Sequence, residues 1–252
     1  MTYNPMNLEG KIILITGASS GISRAIAVEW SKLGAQCILT ARHEGRLQET
    51  LSLMAAGEHR YYVADLVDYE AVDAMVAELP KLDGVSHNAG IAVPLLCAFA
   101  KDEEINRMLQ VNLTSIIHLQ TMLIKKRKLN KGASVVFMSS RAAFDSSLGN
   151  AFYGVTKSGL LTYARYLAKE LRAKGMRSNS ICPGMIQTPL IGTEADSTIA
   201  GEGYREADQQ KHLYKRYGYP EEVAHLAAFL MSDAAAWITG EHFLIEGGSS
   251  LQ

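Results

Sequence analysis

Short apolar runs rich in β-branched residues alternate along the chain with longer stretches whose apolar positions recur every three or four residues. The runs Lys11–Thr16, Gln36–Thr40, Arg60–Val63, Gly84–His87, Ser134–Met138, Arg177–Ile181 and His242–Ile245 predict strands. Several are apolar almost without interruption, as strands are when helices cover both faces of a sheet. Between the first two runs Ile22, Ile26, Trp30 and Leu33 fall at helical spacing, and Gly34 supplies the stop. A second long helix is predicted from about Phe152 to Ala173, with Leu160, Leu161, Ala164, Leu167, Ala168 and Leu171 on its buried side. Strands alternating with helices predict an α/β fold, doubly wound, with a seven-stranded parallel sheet flanked by helices.

Length and composition narrow this further. The chain has 252 residues, 48 % of them hydrophobic, which suits one domain spanning 1–252 and excludes disorder. The polar, acidic stretch Gly192–Gln210, with Gly201 and Gly203, reads as part of a substrate flap at about 190–217 and not as a domain boundary. Lys and Arg number 25 against 26 Asp and Glu, a net charge of −1, so no global field draws the protein onto nucleic acid or an anionic membrane. Cys37, Cys97 and Cys182 are odd in number and far apart, which reads as reduced, mostly buried thiols; no metal site is predicted. The opening residues lack a signal peptide's basic start and apolar stretch, and Ile91–Ala100, apolar but short, is broken by Pro94. The expectation is a soluble, cytoplasmic protein.

Candidate chemistry begins at Thr16-Gly17-Ala18-Ser19-Ser20-Gly21-Ile22-Ser23, which leaves the first strand and opens the first helix. Gly17 suits the tight turn, and Gly21 lets the backbone approach a pyrophosphate lying against free N–H groups at the helix start. Gly17, Ser19, Ser20, Gly21 and Ile22 are therefore candidate cofactor contacts. The second strand ends Thr40-Ala41-Arg42. Where an acidic residue would bind a ribose 2′-hydroxyl, Ala41 is neutral, and the Arg42 guanidinium can pair with a 2′-phosphate. This predicts NADP(H) over NAD(H), the other reading being a solvated surface arginine. Tyr153 and Lys157, four residues apart, share one helix face, where an ammonium favours the phenolate of a tyrosine. Ser140 lies thirteen residues earlier, at a strand end, where its hydroxyl can donate to a developing alkoxide.

These motifs resemble the short-chain dehydrogenase/reductase family, whose TGxxxGxG fingerprint is matched except at its last position, Ser23. The resemblance implies a Rossmann fold and a catalytic tetrad of Asn112, Ser140, Tyr153 and Lys157. It implies that Tyr153 gives or takes the proton, and that Ser140 orients the substrate oxygen. Lys157 would bind the nicotinamide ribose and lower the tyrosine pKa, and Asn112 would hold a water linking Lys157 to solvent. In Ala64-Asp65-Leu66 it implies that Asp65 binds the adenine amino group, beside Leu66. His87-Asn88-Ala89-Gly90 stands where NNAG is usual; Asn88, Ala89 and Gly90 would pass beside the adenosine ribose, and His87 reads as a packed structural histidine. Pro183, Gly184, Ile186 and Thr188, in the turn after the sixth strand, would contact the nicotinamide amide and phosphates. Gly218–Ala224, Ile238-Thr239-Gly240 and Glu246-Gly247-Gly248 carry the resemblance through the C-terminal third.

Specificity is expected from Ser140, Ala142, Phe152, Met185, Leu190 and the flap. Arg141 either faces solvent or meets an acidic substrate group. Lys125, Lys126, Arg127, Lys128 and Lys131, with Arg172, Lys174 and Arg177, resemble places where 3-oxoacyl reductases of the family dock an acidic acyl carrier protein; cations also favour helix C-termini unaided. Reduction of 3-oxoacyl thioesters is the leading reading. Oxidoreduction of a steroid, sugar or small secondary alcohol stands behind it, and a non-catalytic NADP-binding scaffold is the competing class. Kinship implies a homodimer or homotetramer, for which Tyr163, Tyr166 and Trp237 are surface candidates, although core packing explains them equally well.

Overall fold

The computed structural model describes residues 4–191 and 204–251. At the centre of its sheet, β1 (Ile12–Thr16) buries consecutive side chains on opposite faces. Ile13 and Ile15 join one apolar cluster with Trp30, Leu39 and Val223, whereas Leu14 joins the other with Ile38, Val85 and Phe137. A strand coated on both sides has no polar face to alternate with, which is why the run is uninterrupted. The sheet continues with β2 (Gln36–Ala41), β3 (Arg60–Val63), β4 (Leu82–His87), β5 (Leu129–Met138), β6 (Arg177–Pro183) and β7 (His242–Ile245). Their order is β3-β2-β1-β4-β5-β6-β7, and every pairing is parallel. This is the doubly wound architecture, with its switch point between β1 and β4.

Helices α1 (Gly21–Lys32) and α2 (Glu44–Leu53) follow β1 and β2. Then come α3 (Tyr69–Glu78), α4 (Asp102–Leu109), α5 (Ser115–Lys125), α6 (Ala151–Leu171), α7 (Tyr204–Gln210) and α8 (Pro220–Met231). A π-helical turn, Gln110–Thr114, joins α4 to α5 and contains Asn112. All six residues expected on the buried side of α6 are buried. β5 starts five residues before its predicted start and β4 two before. The polar second residues of the two strands hold each other there, since Asn130 Nδ2 donates to Asp83 Oδ1 at 2.8 Å.

Cys37 and Cys182 are buried thiols, pushed up to about 12 and about 11 by burial, whereas Cys97 is exposed. Of the expected flap, 192–203 lies outside the described residues. The part beyond α7 is anchored: Tyr217 is buried, and the Leu213 N–H donates to the Gly247 carbonyl at 2.9 Å. Among the described residues no helix is long and apolar enough to cross a membrane.

Candidate active site

A cleft of about 330 Å³ opens at the carboxyl ends of the strands, across the switch point. Its floor is the turn from β1 into α1. Gly17 and Gly21 have φ of +67° and +57°, which L side chains rarely adopt. A Cβ on Gly17 would stand 2.9 Å from Ala89 Cα. Ser20 caps α1 without a side-chain hydrogen bond, and the helix has no acidic residue in its first turn. The N–H groups there are available to an anion. Beneath the turn, Arg24 donates to the Ser19 carbonyl at 2.7 Å and Thr50 Oγ1 to the Ala18 carbonyl at 2.8 Å. Thr16 Oγ1 accepts from the N–H groups of Asn88 (2.9 Å) and Ala89 (3.2 Å), tying the ends of β1 and β4 together. Ser23, in the third fingerprint position, is buried, so its small hydroxymethyl is accommodated in the packing.

Every residue expected to contact a cofactor lines this cleft. At one end, beyond β2, Arg42 stands 3.9 Å from Asp65, both substantially exposed. His43 and Arg46 line the same end. Arg46 sits one turn into α2, where no strand-end motif draws notice to it.

The other end is assembled by α6. Its residues Tyr153 and Lys157 meet Ser140, which follows β5 in extended conformation. The Ser140 hydroxyl lies near enough to Tyr153 to act on its titration, and Ser140 Oγ accepts the Ala142 N–H at 3.1 Å. The helix comes this close because Gly154 lacks a side chain: a Cβ there would lie 2.7 Å from the Ala142 carbonyl oxygen. Ser139 Oγ donates to the Lys157 carbonyl at 2.8 Å, and Ser158 Oγ to the Ala143 carbonyl at 3.1 Å. Gly154, Ser139 and Ser158 had no signature in the sequence, since their roles exist only across the β5–α6 contact.

Lys157 is buried, its Nζ donating to the Met138 carbonyl at 2.9 Å and lying 5.6 Å from the centre of the Tyr153 ring. Burial lowers its pKa to about 8. Burial also raises the pKa of Tyr153, and the Ser140 hydroxyl opposes that rise without overcoming it. Burial, rather than the lowering expected from the ammonium, dominates the shift of the tyrosine. Asn112 is buried on the π-helical turn. Its Oδ1 accepts the Ile91 N–H and its Nδ2 donates to the Ile91 carbonyl, both at 2.8 Å, with Thr156 Oγ1 at 3.3 Å. A Cβ on Gly90 would stand 3.2 Å from Asn112 Oδ1 and 3.3 Å from Lys157 Nζ, so a larger residue would crowd this corner.

Ser140 and Leu190 line the cleft, but Ala142, Phe152 and Met185 do not. Ala142 instead turns its carbonyl onto α6 and its N–H onto Ser140. Arg141 does not line the cleft; half-buried, it reaches Ser249 and Asp145. Among the basic residues, Arg177 is buried and donates to the carbonyls of Leu230 (2.7 Å) and Ser232 (2.9 Å). Lys128 is bound to the carbonyls of Ala77 and Leu79 at the end of α3. Lys125, Lys126 and Arg127 are exposed at the amino end of β5, the sheet edge opposite Ser140. His87 is a core residue, as expected: Nε2 meets Gln120 Oε1 at 2.9 Å, the ring stacks on Phe137, and burial lowers its pKa to about 4.

Comparison with known proteins places this geometry in context. Residues 17–250 match a family model described as enoyl-(acyl carrier protein) reductase. A 3-oxoacyl-(acyl-carrier-protein) reductase of Rickettsia conorii is 34 % identical over 243 residues, which cover 96 % of this chain and 98 % of that protein. The crystal structure of a Brucella melitensis short-chain dehydrogenase/reductase described as a glucose/ribitol dehydrogenase superimposes with a TM-score of 0.88. It is 29 % identical, covering 96 % of this chain and 98 % of that one. A 2-deoxy-D-gluconate 3-dehydrogenase described as putative, from Agrobacterium tumefaciens and solved with bound NADP, gives a TM-score of 0.88 at 27 % identity. It covers 99 % of this chain and 100 % of that one.

Proposed function

The chain belongs to the short-chain dehydrogenase/reductase family of oxidoreductases, and on that premise we propose that it uses NADP(H) to interconvert a carbonyl and a secondary alcohol, with 3-oxoacyl thioesters as leading substrates. The observation that carries this reading is the meeting of Tyr153, Ser140 and Lys157 at one end of a cleft whose other end holds Arg42.

The residues fit a nicotinamide dinucleotide. The start of α1, where Ser20 makes no side-chain cap, offers its N–H groups to the pyrophosphate, and Gly90 leaves room beside Lys157. Arg42, seconded by Arg46, would hold the 2′-phosphate, and Asp65 and Leu66 the adenine. Asn88, Ala89, Pro183, Gly184, Ile186 and Thr188 would line its path toward the tetrad. When bound, the dinucleotide supplies or accepts the hydride.

Tyr153 Oη gives the proton to the substrate oxygen in reduction and takes it back in oxidation, and the Ser140 hydroxyl holds that oxygen by donating to it. With a pKa of about 8, Lys157 keeps its ammonium at neutral pH and is placed to grip a ribose. Asn112 fixes the Ile91 main chain and with it the strand-end loop beside Lys157. Its side-chain bonds to Ile91 and Thr156 support a positioning role over the holding of a water.

Ile91 and Leu190 on the cleft wall favour an apolar acyl chain. A second reading, oxidation of a sugar or similar alcohol, draws on the dehydrogenase titles of the solved neighbours. An acidic carrier docked on Lys125, Lys126 and Arg127 would stand at the sheet edge away from this chain's own tetrad. Delivery from it would serve the cleft of a neighbouring subunit. A homodimer or homotetramer is supported by Tyr166 and Trp237, 66 % and 99 % exposed, whereas Tyr163 packs edge-on against Phe137 in the core.

The test is loss of NADPH absorbance over a panel of 3-oxoacyl thioesters, free ketones and sugars, with wild type and Tyr153→Phe compared. Wild type should turn over the thioesters best, and removing the phenol should lower kcat by about 10²–10⁴. Equal rates for the two proteins would overturn the proton-transfer role. Turnover confined to sugars would select the second reading, and cofactor binding without any turnover would select a scaffold.

A further inference from the structure

Three separate segments, two of them lining the cleft, converge on the turn that follows β7. Gly184, at the end of β6, has no room for a side chain because a Cβ would stand 2.7 Å from Glu246 Cβ. The segment beyond α7 reaches the same turn through the Leu213 N–H, which donates to the Gly247 carbonyl, and through the Leu213 side chain, which lies against Gly248. From the third segment comes Arg141, directly after Ser140. Its guanidinium donates to the Ser249 hydroxyl, and that hydroxyl donates in turn to the Glu246 carboxylate. Glu246 also accepts the Ser250 N–H at 2.9 Å and hydroxyl at 3.2 Å. The second Arg141 nitrogen lies 3.4 Å from Asp145. Burial would raise the Glu246 pKa, but these hydrogen bonds and the Arg141 charge outweigh it and hold the carboxyl below its ordinary value. The bridge is therefore ionic at both ends at neutral pH.

The turn carrying Ser140 is pinned on one side by α6, through Ser158 and the close approach of Gly154. Its other side is held by Arg141 and by Phe144, which stacks on His242. We propose that Arg141 is a positioning residue for the reaction: acting through Ser249 and Glu246, it keeps the Ser140–Tyr153 hydroxyl pair in register with the Gly184 loop and the 211–217 segment. This rests on the reading of Ser140 and Tyr153 as the pair that handles the proton. Because α6 still restrains the turn, loss of the bridge loosens the pair without dismantling it.

The experiment is steady-state kinetics and NADPH titration of the full chain bearing Arg141→Met, Arg141→Lys, Ser249→Ala or the Met/Ala double substitution. Tyr153→Phe serves as reference, and amide hydrogen exchange is followed at Leu213. Arg141→Met should lower kcat roughly tenfold while leaving the KM and Kd for NADPH within about twofold, since a small displacement of reacting groups acts on turnover. Lys should restore most of the loss, and Ser249→Ala should cost about threefold, with the double variant no worse than Met alone because the two residues act in one chain. Exchange at Leu213 should quicken in the Met variant. Wild-type kcat in Arg141→Met, additive losses, or a kcat loss matched by lost NADPH affinity would each overturn the inference. If Tyr153→Phe keeps wild-type turnover, the reading of the pair has failed instead, and unchanged Leu213 exchange in Arg141→Met would overturn the bridge on its own.

Discussion

At the tetrad end of the cleft, Lys157 is buried with its ammonium on the Met138 carbonyl, and Ser139, Thr156, Ser158 and Asn112 fix the main chain around it. At the opposite end Arg42 stands with its side chain 54 % exposed, 3.9 Å from an Asp65 that is itself 43 % exposed. One end holds its chemistry by packing and hydrogen bonds from several elements. The other presents a charge on the rim, in high dielectric, with little else to hold it. Substitutions at the first should therefore act on turnover and on folding stability. Those at the second should act on which cofactor is chosen and leave the fold alone.

The sharpest way to break this contrast is Gly154→Ala. A methyl group placed 2.7 Å from a backbone carbonyl cannot be relieved by a side-chain rotation, so α6 must withdraw from the Ser140 turn. Even a displacement of about 1 Å between Ser140 and Tyr153 should lower kcat about 100-fold. NADPH binding, for which the proposed contacts at the Gly17–Gly21 turn and Arg42 lie away from Gly154, should be largely retained. A fluorescence titration showing lost binding alongside lost turnover would mean that the two ends are not separable.

The packing that makes Gly154 necessary also marks where sequence reading stops. The inner strands β1 and β2 were legible because a coated strand leaves a nearly unbroken apolar run, and the edge strands Arg60–Val63 and His242–Ile245, short and rich in aromatic and branched residues, have the predicted bounds. Tyr153, Lys157 and Ser140 were legible because their chemistry needs particular side chains at fixed offsets. Gly154 and Ser139 were not, since a residue shaped by a neighbour distant in sequence carries no local pattern. The basic residues misled for a related reason. Arg177 sits in a charged stretch, yet it is buried and engaged with the C-terminal carbonyls of α8, and this appears only once β6 packs beside that helix.

Arg42→Asp probes the rim. The substitution removes the candidate phosphate partner and places a carboxylate beside Asp65. A charge-assisted contact of this kind corresponds to a roughly 30-fold rise in KM for NADPH, against less than about threefold for NADH. Parallel KM measurements with the two cofactors check it, and equal changes would remove Arg42 from cofactor choice. The melting temperature should stay within about 1 °C of wild type, because surface substitutions away from packed features rarely exceed ~0.5 kcal/mol.

The smallest expected effect runs against intuition, because it is a gain. The folded state lowers the Lys157 pKa from 10.5 to about 8. Between those values the unfolded chain binds the proton that the folded chain releases, so stability rises with pH across that window. Below about pH 8 both states carry the charge, and the folded protein bears the full cost of burying it. Lys157→Met removes that cost together with the hydrogen bond to Met138, which is worth ~1 kcal/mol. Near neutral pH the variant should be inactive and yet more stable by about 1–2 kcal/mol, a rise of several degrees in melting temperature. Calorimetry across the window should show this advantage shrinking as pH climbs from about 8 past 10.5, above which wild-type Lys157 becomes neutral in both states. An advantage that is absent at neutral pH, or that grows with pH, would mean that the tetrad end carries no buried-charge cost and that the contrast with the exposed Arg42 end is wrong.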